Sequence, residues 1–199
     1  MGMDQRFTGR RTRGLCVATQ RPRQDKRAPS RQPMKFAYAD PPYHKLGKKL
    51  YGIHHPEANI WDDKQTHIDL IHRLTNDYPD GWALSCNPRD LTWILPHVPE
   101  DTRIGSWCKT WHQIRPTSTQ FAWESVLWRT MKKDPKRPMI RDWITGAATK
   151  QKGLPGAKPH YFNRWILDLL MFDPETDTLV DMFPGTCGMN LAMQELKLF

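Results

Sequence analysis

The sequence predicts an α/β domain of three layers built on a mainly parallel sheet. Short apolar runs alternate with segments of helical periodicity from residue 34 onward. Two turns rich in proline or glycine fall where apolar runs stop, at residues 40–43 and 183–188. A length of 199 residues suits one domain with one sizeable core.

Residues 34–39 read as a strand that ends at Asp40, because Pro41 and Pro42 bring no N–H donors to a ladder. Residues 44–61 read as a loop mixing basic and aromatic side chains. The spacing of Asp62 and Gln65 resembles a capping box and predicts a helix to about Tyr78, with Ile68, Ile71 and Leu74 inward. Pro79-Asp80-Gly81 ends it. A strand over 82–86 follows, and Pro88 opens a helix through Leu91, Ile94 and Leu95. Strands are predicted over 102–109 and 121–131, and an irregular basic stretch over 132–158. An amphipathic helix spans 160–171 with Phe162, Trp165, Ile166, Leu169 and Leu170 apolar. A strand over 178–182, the glycine turn and a short helix complete the series.

The net charge of +9 is uneven: residues 1–33 hold nine basic and two acidic residues, and so carry seven of those nine charges. This segment lacks hydrophobic periodicity and reads as a disordered extension, with the folded unit over 34–199. It is either an arm for phosphate backbones or an upstream addition before Met34. No apolar run is long enough to cross a membrane, and no apolar stretch follows the first basic residues as in a secretory leader. The four cysteines form no CxxC pair, which fits reduced thiols in a cytoplasmic protein. His54-His55 and His67/His72 lack the spacing of a helical zinc pair, so no metal is expected.

Asp40-Pro41-Pro42-Tyr43 suits chemistry on an exocyclic amine. Such an amine is a weak nucleophile, because its lone pair is delocalised into the ring. The Asp40 carboxylate and Pro41 carbonyl offer acceptors that draw the nitrogen toward tetrahedral geometry, and two prolines hold them in place beforehand. Tyr43 offers a flat face to a base taken out of the stack. Asp181-Met182-Phe183-Pro184-Gly185-Thr186-Cys187-Gly188 is a strand-to-helix turn that lets a ligand approach the backbone. Such turns also occur without any cofactor.

Together the two motifs resemble those of the amino-methyltransferases that modify DNA, in the motif order of their β group. The resemblance covers about residues 34–196 and is similar to the short DNA methylases carried by actinobacterial phages. It runs through Phe36-Ala37-Tyr38-Ala39-Asp40-Pro41-Pro42-Tyr43, Tyr51-Gly52, His54-His55-Pro56-Glu57-Ala58, Ala157-Lys158-Pro159 and Arg164-Trp165-Ile166-Leu167-Asp168-Leu169-Leu170. It implies a Rossmann-like fold, S-adenosyl-L-methionine as cofactor, and methylation of a flipped base in double-stranded DNA. The base implied is adenine at N6, since aspartate rather than serine stands at position 40. The host cytoplasm is the implied location for a phage-encoded chain.

The resemblance assigns Asp40, Pro41, Pro42 and Tyr43 to catalysis. It assigns Asp181, Phe183, Gly185, Thr186, Lys158, Pro159 and Ala39 to the cofactor. Lys45, Lys48, Lys49, Tyr51, His54 and His55 border the base pocket and are candidates for DNA contact, as is the basic 132–158 stretch. Trp123-Glu124 matches a family strand of unassigned role, and a cross-strand aromatic beside a surface carboxylate explains it equally well. Cys187 stands where the family has glycine, and Glu195 is the acid downstream of the turn, placed on the last helix. An N4-cytosine or RNA methyltransferase, and a noncatalytic nucleic-acid-binding protein on the same fold, stay open as alternatives. Oligomeric state is not legible.

Overall fold

The computed structural model describes residues 32–53, 55–110, 116, 118–135, 137–148 and 156–198. The readings made for residues 1–31 and for His54 lie outside the described residues.

Six strands form one sheet: β1 (Lys35–Ala39), β2 (Gly81–Cys86), β3 (Arg103–Lys109), β4 (Trp123–Thr130), β5 (Trp143–Gly146) and β6 (Thr178–Asp181). Their order is β5-β3-β4-β2-β1-β6. β1 pairs in parallel with β2 and β6, and β3 with β5, while β4 runs against both its neighbours. The sheet is therefore mostly parallel, with one reversed strand near its middle.

Helices cover both faces: α1 (Gly47–Tyr51), α2 (Lys64–Asp77), α3 (Leu91–Ile94), α4 (His160–Leu169) and α5 (Gly188–Leu196). Side chains alternate across β1, so Ala37 and Ala39 pack under α2 while Phe36 and Tyr38 pack under α4 and α5. Leu70, Ile71 and Leu74 of α2 close the first core with Trp82, Leu84 and Leu127. Phe162, Trp165 and Ile166 of α4 close the second with Val126 and Trp128. Full burial of such a side chain contributes about 1.5–3 kcal/mol, so these two cores hold the layers together.

Several expectations are corrected. Asp62 does not cap α2. Asp63 does, its carboxylate accepting from the Gln65 N–H at 3.1 Å. Asp62 instead accepts from the backbone N–H of Gly47 at 2.8 Å and of Lys48 at 3.2 Å, supplying the N-terminus of α1. The 44–61 stretch is thus not a plain loop: it holds α1 and a 3₁₀ segment, Pro56–Asp62. Gly47 is needed there, because a Cβ would come within 2.1 Å of the Ala58 carbonyl oxygen. The 132–158 stretch is likewise not wholly irregular, since β5 lies inside it as an edge strand. α4 stops at Leu169 rather than at residue 171, and Met171 turns into the left-handed region at φ 55°.

Candidate active site

β1 and β6 are hydrogen-bonded neighbours, with Tyr38 opposite Asp181 and the Met182 N–H donating to the Tyr38 carbonyl at 2.9 Å. Parallel pairing puts both carboxyl ends at one edge of the sheet. The 40–43 and 181–188 turns therefore meet, as ligand sites in open α/β sheets do. Between them lies a cavity of about 550 Å³, lined among others by Asp40, Pro42, Lys158, Asp181, Phe183 and Gly185. That volume falls within the roughly 300–1,000 Å³ of small-molecule sites.

Lys158, just before α4, is the electrostatic hub. Its Nζ lies 2.9 Å from Asp40 Oδ1 and 3.1 Å from Glu124 Oε2. Burial opposes its charge, but the two carboxylates outweigh that and hold its pKa well above the ordinary value. Burial would also raise the Glu124 carboxyl. Lys158 and Lys109 together pull it down instead, to about 2. Lys109, at the end of β3, ion-pairs with Glu124 Oε1. Asp40 differs: burial raises its pKa, Lys158 opposes this, and the like charge of Glu124 adds to it. Burial likewise raises Asp181, against a 3.2 Å bond from the Phe183 N–H to its Oδ1.

Tyr43 is half-buried, and its hydroxyl donates to Glu124 Oε2 at 2.7 Å. Lys158 Nζ stands 3.3 Å from that hydroxyl and 5.4 Å from the ring centroid. At this turn the cavity wall is formed by Asp40 and Pro42, while Pro41 is buried. Thr186 lines the cavity as well, and Gly185 adopts φ +41°, a conformation glycine takes without a Cβ penalty. Pro159 is buried at the N-cap of α4, and Ala39 is fully buried on the α2 side of the sheet. Tyr51 and His55 line the cavity, whereas Lys45, Lys48 and Lys49 are exposed and do not. Glu195 stands on α5 and pairs with His160 Nε2 at 3.0 Å, and Asn190 is exposed on the same helix.

Glu124 is not a surface carboxylate. It is part of the buried charge cluster, and Lys109 joins it without having been singled out from the sequence. A lysine that ends one strand and a glutamate that opens the next are a readable pair once the β3–β4 antiparallel register is known. Trp61 was also not singled out. It lines the cavity and meets the Phe183 ring edge-on at 5.1 Å. Among the described residues no cluster of three or more His, Cys, Asp or Glu is arranged to hold a metal ion, and no helix is long and apolar enough to cross a membrane.

No known family profile matches the chain, and no curated protein sequence does. The fold is similar to that of M1.HpyAVI in its crystal structure as an M1.HpyAVI–SAM complex. There the TM-score is 0.57 at 16% identity, over 83% of this chain and 79% of that one. A second structure of M1.HpyAVI aligns with a TM-score of 0.53 at 14% identity, over 83% and 77% of the two chains. What these likenesses establish is the architecture: a Rossmann-like α/β fold on a mostly parallel six-stranded sheet, similar to that of M1.HpyAVI.

Proposed function

We propose that this chain is an S-adenosylmethionine-dependent methyltransferase acting on the exocyclic amine of a base in double-stranded DNA, adenine N6 in particular. The observation that carries the reading is the meeting of the Asp40 turn and the Asp181–Gly188 turn on one cavity. The residues around it fit the cofactor. Trp61, Phe183 and Met182 offer apolar faces, Asp181 and Asp40 offer carboxylates to a ligand cation, and Gly185 leaves the turn without a side chain, its Cβ position 3.8 Å from the Phe183 carbonyl oxygen. The likeness to a protein crystallised with SAM supports the same assignment.

When bound, S-adenosylmethionine supplies an electrophilic methyl group on a sulfonium sulfur. The chain's own residues prepare the amine. A carboxylate offers about four lone-pair sites. The bonds from Lys158 and Ser85 therefore orient Asp40 and leave sites for an incoming amine. The Pro41 carbonyl is the second acceptor, fixed by the two-proline turn. Asp40 takes up the positive charge that develops on the nitrogen, and its raised pKa suits it to receive the departing proton. Asp181, Phe183, Gly185 and Thr186 hold the cofactor, with Lys158 and Pro159 fixing the adjoining wall. Tyr51, His55 and the lysines at 45, 48 and 49 border the entering strand. Aspartate at position 40 is the ground for adenine over cytosine, and extrusion of the base is the way an amine held inside a duplex reaches acceptors in a cavity.

The test is a transfer assay with labelled S-adenosylmethionine and unmethylated DNA, followed by digestion to nucleosides. Label on N6 of adenine that disappears in Asp40→Ala is the expected result. Absence of transfer by the wild type, with no cofactor binding in calorimetry, rejects the proposal and leaves a noncatalytic nucleic-acid-binding protein.

A further inference from the structure

Arg89, Phe121 and Trp123 gather at the carboxyl edge of the sheet, outside the cavity. Phe121 is 41% exposed and Trp123 40% exposed. Neither belongs to the two cores among the described residues. The Arg89 guanidinium lies 4.0 Å from the Phe121 ring centroid. Phe121 and Trp123 are two residues apart, and the Lys109 N–H donates to the Ala122 carbonyl between them at 2.8 Å. The ladder thus continues through this interval, so the two rings share one face.

The position is what gives these rings meaning. Trp123 is followed by Glu124, which points to the other face and bonds Tyr43. Arg89 is followed by Asp90, whose carboxylate lies 3.7 Å from the ring of His44, the residue after Tyr43. The surface therefore adjoins the catalytic turn from two elements at once, the start of β4 and the 3₁₀ turn Pro88–Asp90. Two aromatics left part-exposed forgo stabilisation that burial would bring. A cation stacked on one of them keeps its N–H edge free for an anion.

We propose that Arg89, Phe121 and Trp123 form a stacking platform for the nucleotides that flank the base presented to Asp40. The proposal rests on reading the site as a nucleic-acid methyltransferase, and it names a surface that reading does not use. A polyanion with π-faced bases matches both elements of the platform: rings for stacking and a guanidinium for phosphate. Stacking of this kind tolerates any base, so the platform would secure the strand without reading its sequence.

The experiment measures DNA affinity of the full chain by fluorescence anisotropy, with single- and double-stranded oligonucleotides across a salt series. Phe121→Ala and Trp123→Ala should each weaken binding roughly tenfold, and Trp123→Phe should restore most of it. Arg89→Gln should weaken binding and flatten the log–log salt slope by about one, which the aromatic variants should not do. Ile104→Ala is the control. That side chain is 44% exposed near the start of β3, at the opposite end of the strand from Lys109, and its loss should change nothing. Circular dichroism and thermal melting check that each variant folds. Platform variants that bind like the wild type overturn the proposal, as does an equal loss in Ile104→Ala. A wild type that binds S-adenosylmethionine but no nucleic acid rejects the platform while sparing the cofactor assignment. A wild type that binds DNA through the platform but neither binds nor uses S-adenosylmethionine rejects the methyltransferase and keeps the platform.

Discussion

Cys187 stands at the start of α5 with φ 59° and ψ 20°, in the left-handed region. An L-residue there costs on the order of 1–2 kcal/mol that glycine does not. Cys187 is exposed and does not line the cavity, whereas the residues on either side, Thr186 and Gly188, do. The thiol strains the turn without taking ligand space. Cys187→Gly should therefore raise the unfolding free energy by about 1 kcal/mol in a denaturant titration, with cofactor affinity in calorimetry no weaker than before. This position was legible in the sequence, because Gly185 and Gly188 around it mark a tight strand-to-helix turn. The anchoring of Tyr43 was not legible. A tyrosine after two prolines reads as a free flat face, and only the folded chain puts a carboxylate 2.7 Å from its hydroxyl.

That carboxylate arrives on β4, the reversed strand, and the reversal explains why its role stayed unassigned in the sequence. In a parallel sheet the functional ends are the carboxyl ends, so a residue that opens a strand reads as lying far from the site. Glu124 is the second residue of β4, and antiparallel pairing with β3 lays it opposite Trp107 at the functional edge. The short pieces were missed for related reasons. α1 depends on Asp62, fifteen residues downstream of Gly47, for its first N–H groups. β5 has four residues and a single partner strand, too little for a periodic signal. α2 and α4 were legible because their apolar faces repeat at the helical period, and β1 and β2 because they are short apolar runs bounded by turn residues.

Glu124 acts on the reaction through others, holding Tyr43 and sharing Lys158 with Asp40. Glu124→Gln should lower kcat on the order of a hundredfold with a smaller change in KM, as loss of positioning does. It should also move the acid limb of the pH–rate profile to lower pH, because a like charge beside Asp40 is removed. Stability offers a second readout. The Glu124 pKa falls from its ordinary 4.5 to about 2 on folding, so its contribution is complete above pH 4.5 and is lost as pH falls toward 2. In Glu124→Gln that part of the acid destabilisation should vanish, and the variant should be less stable than wild type at neutral pH.

Over the chain as a whole, Gln32–Phe199 forms its own compact unit. Its described cores draw on residues from Met34 to Leu196. A chain starting at Gln32 should therefore melt cooperatively near the full-length temperature. Without the seven net charges of residues 1–33, its DNA binding should show a shallower dependence on salt if that segment grips phosphate, and an unchanged one if it does not. The layered arrangement was legible from the alternation of strands and helices. The position of β4 was not, because the order of strands in a sheet is set by long-range pairing that no local pattern records.

The reversed strand also bears on how this protein can be altered. β3 ends and β4 begins at the functional edge, where the Lys109–Glu124 ion pair ties the two strand ends together. Length and composition between those two residues can therefore change as in an exchangeable cassette, while the sheet and the acceptor turn stay as they are.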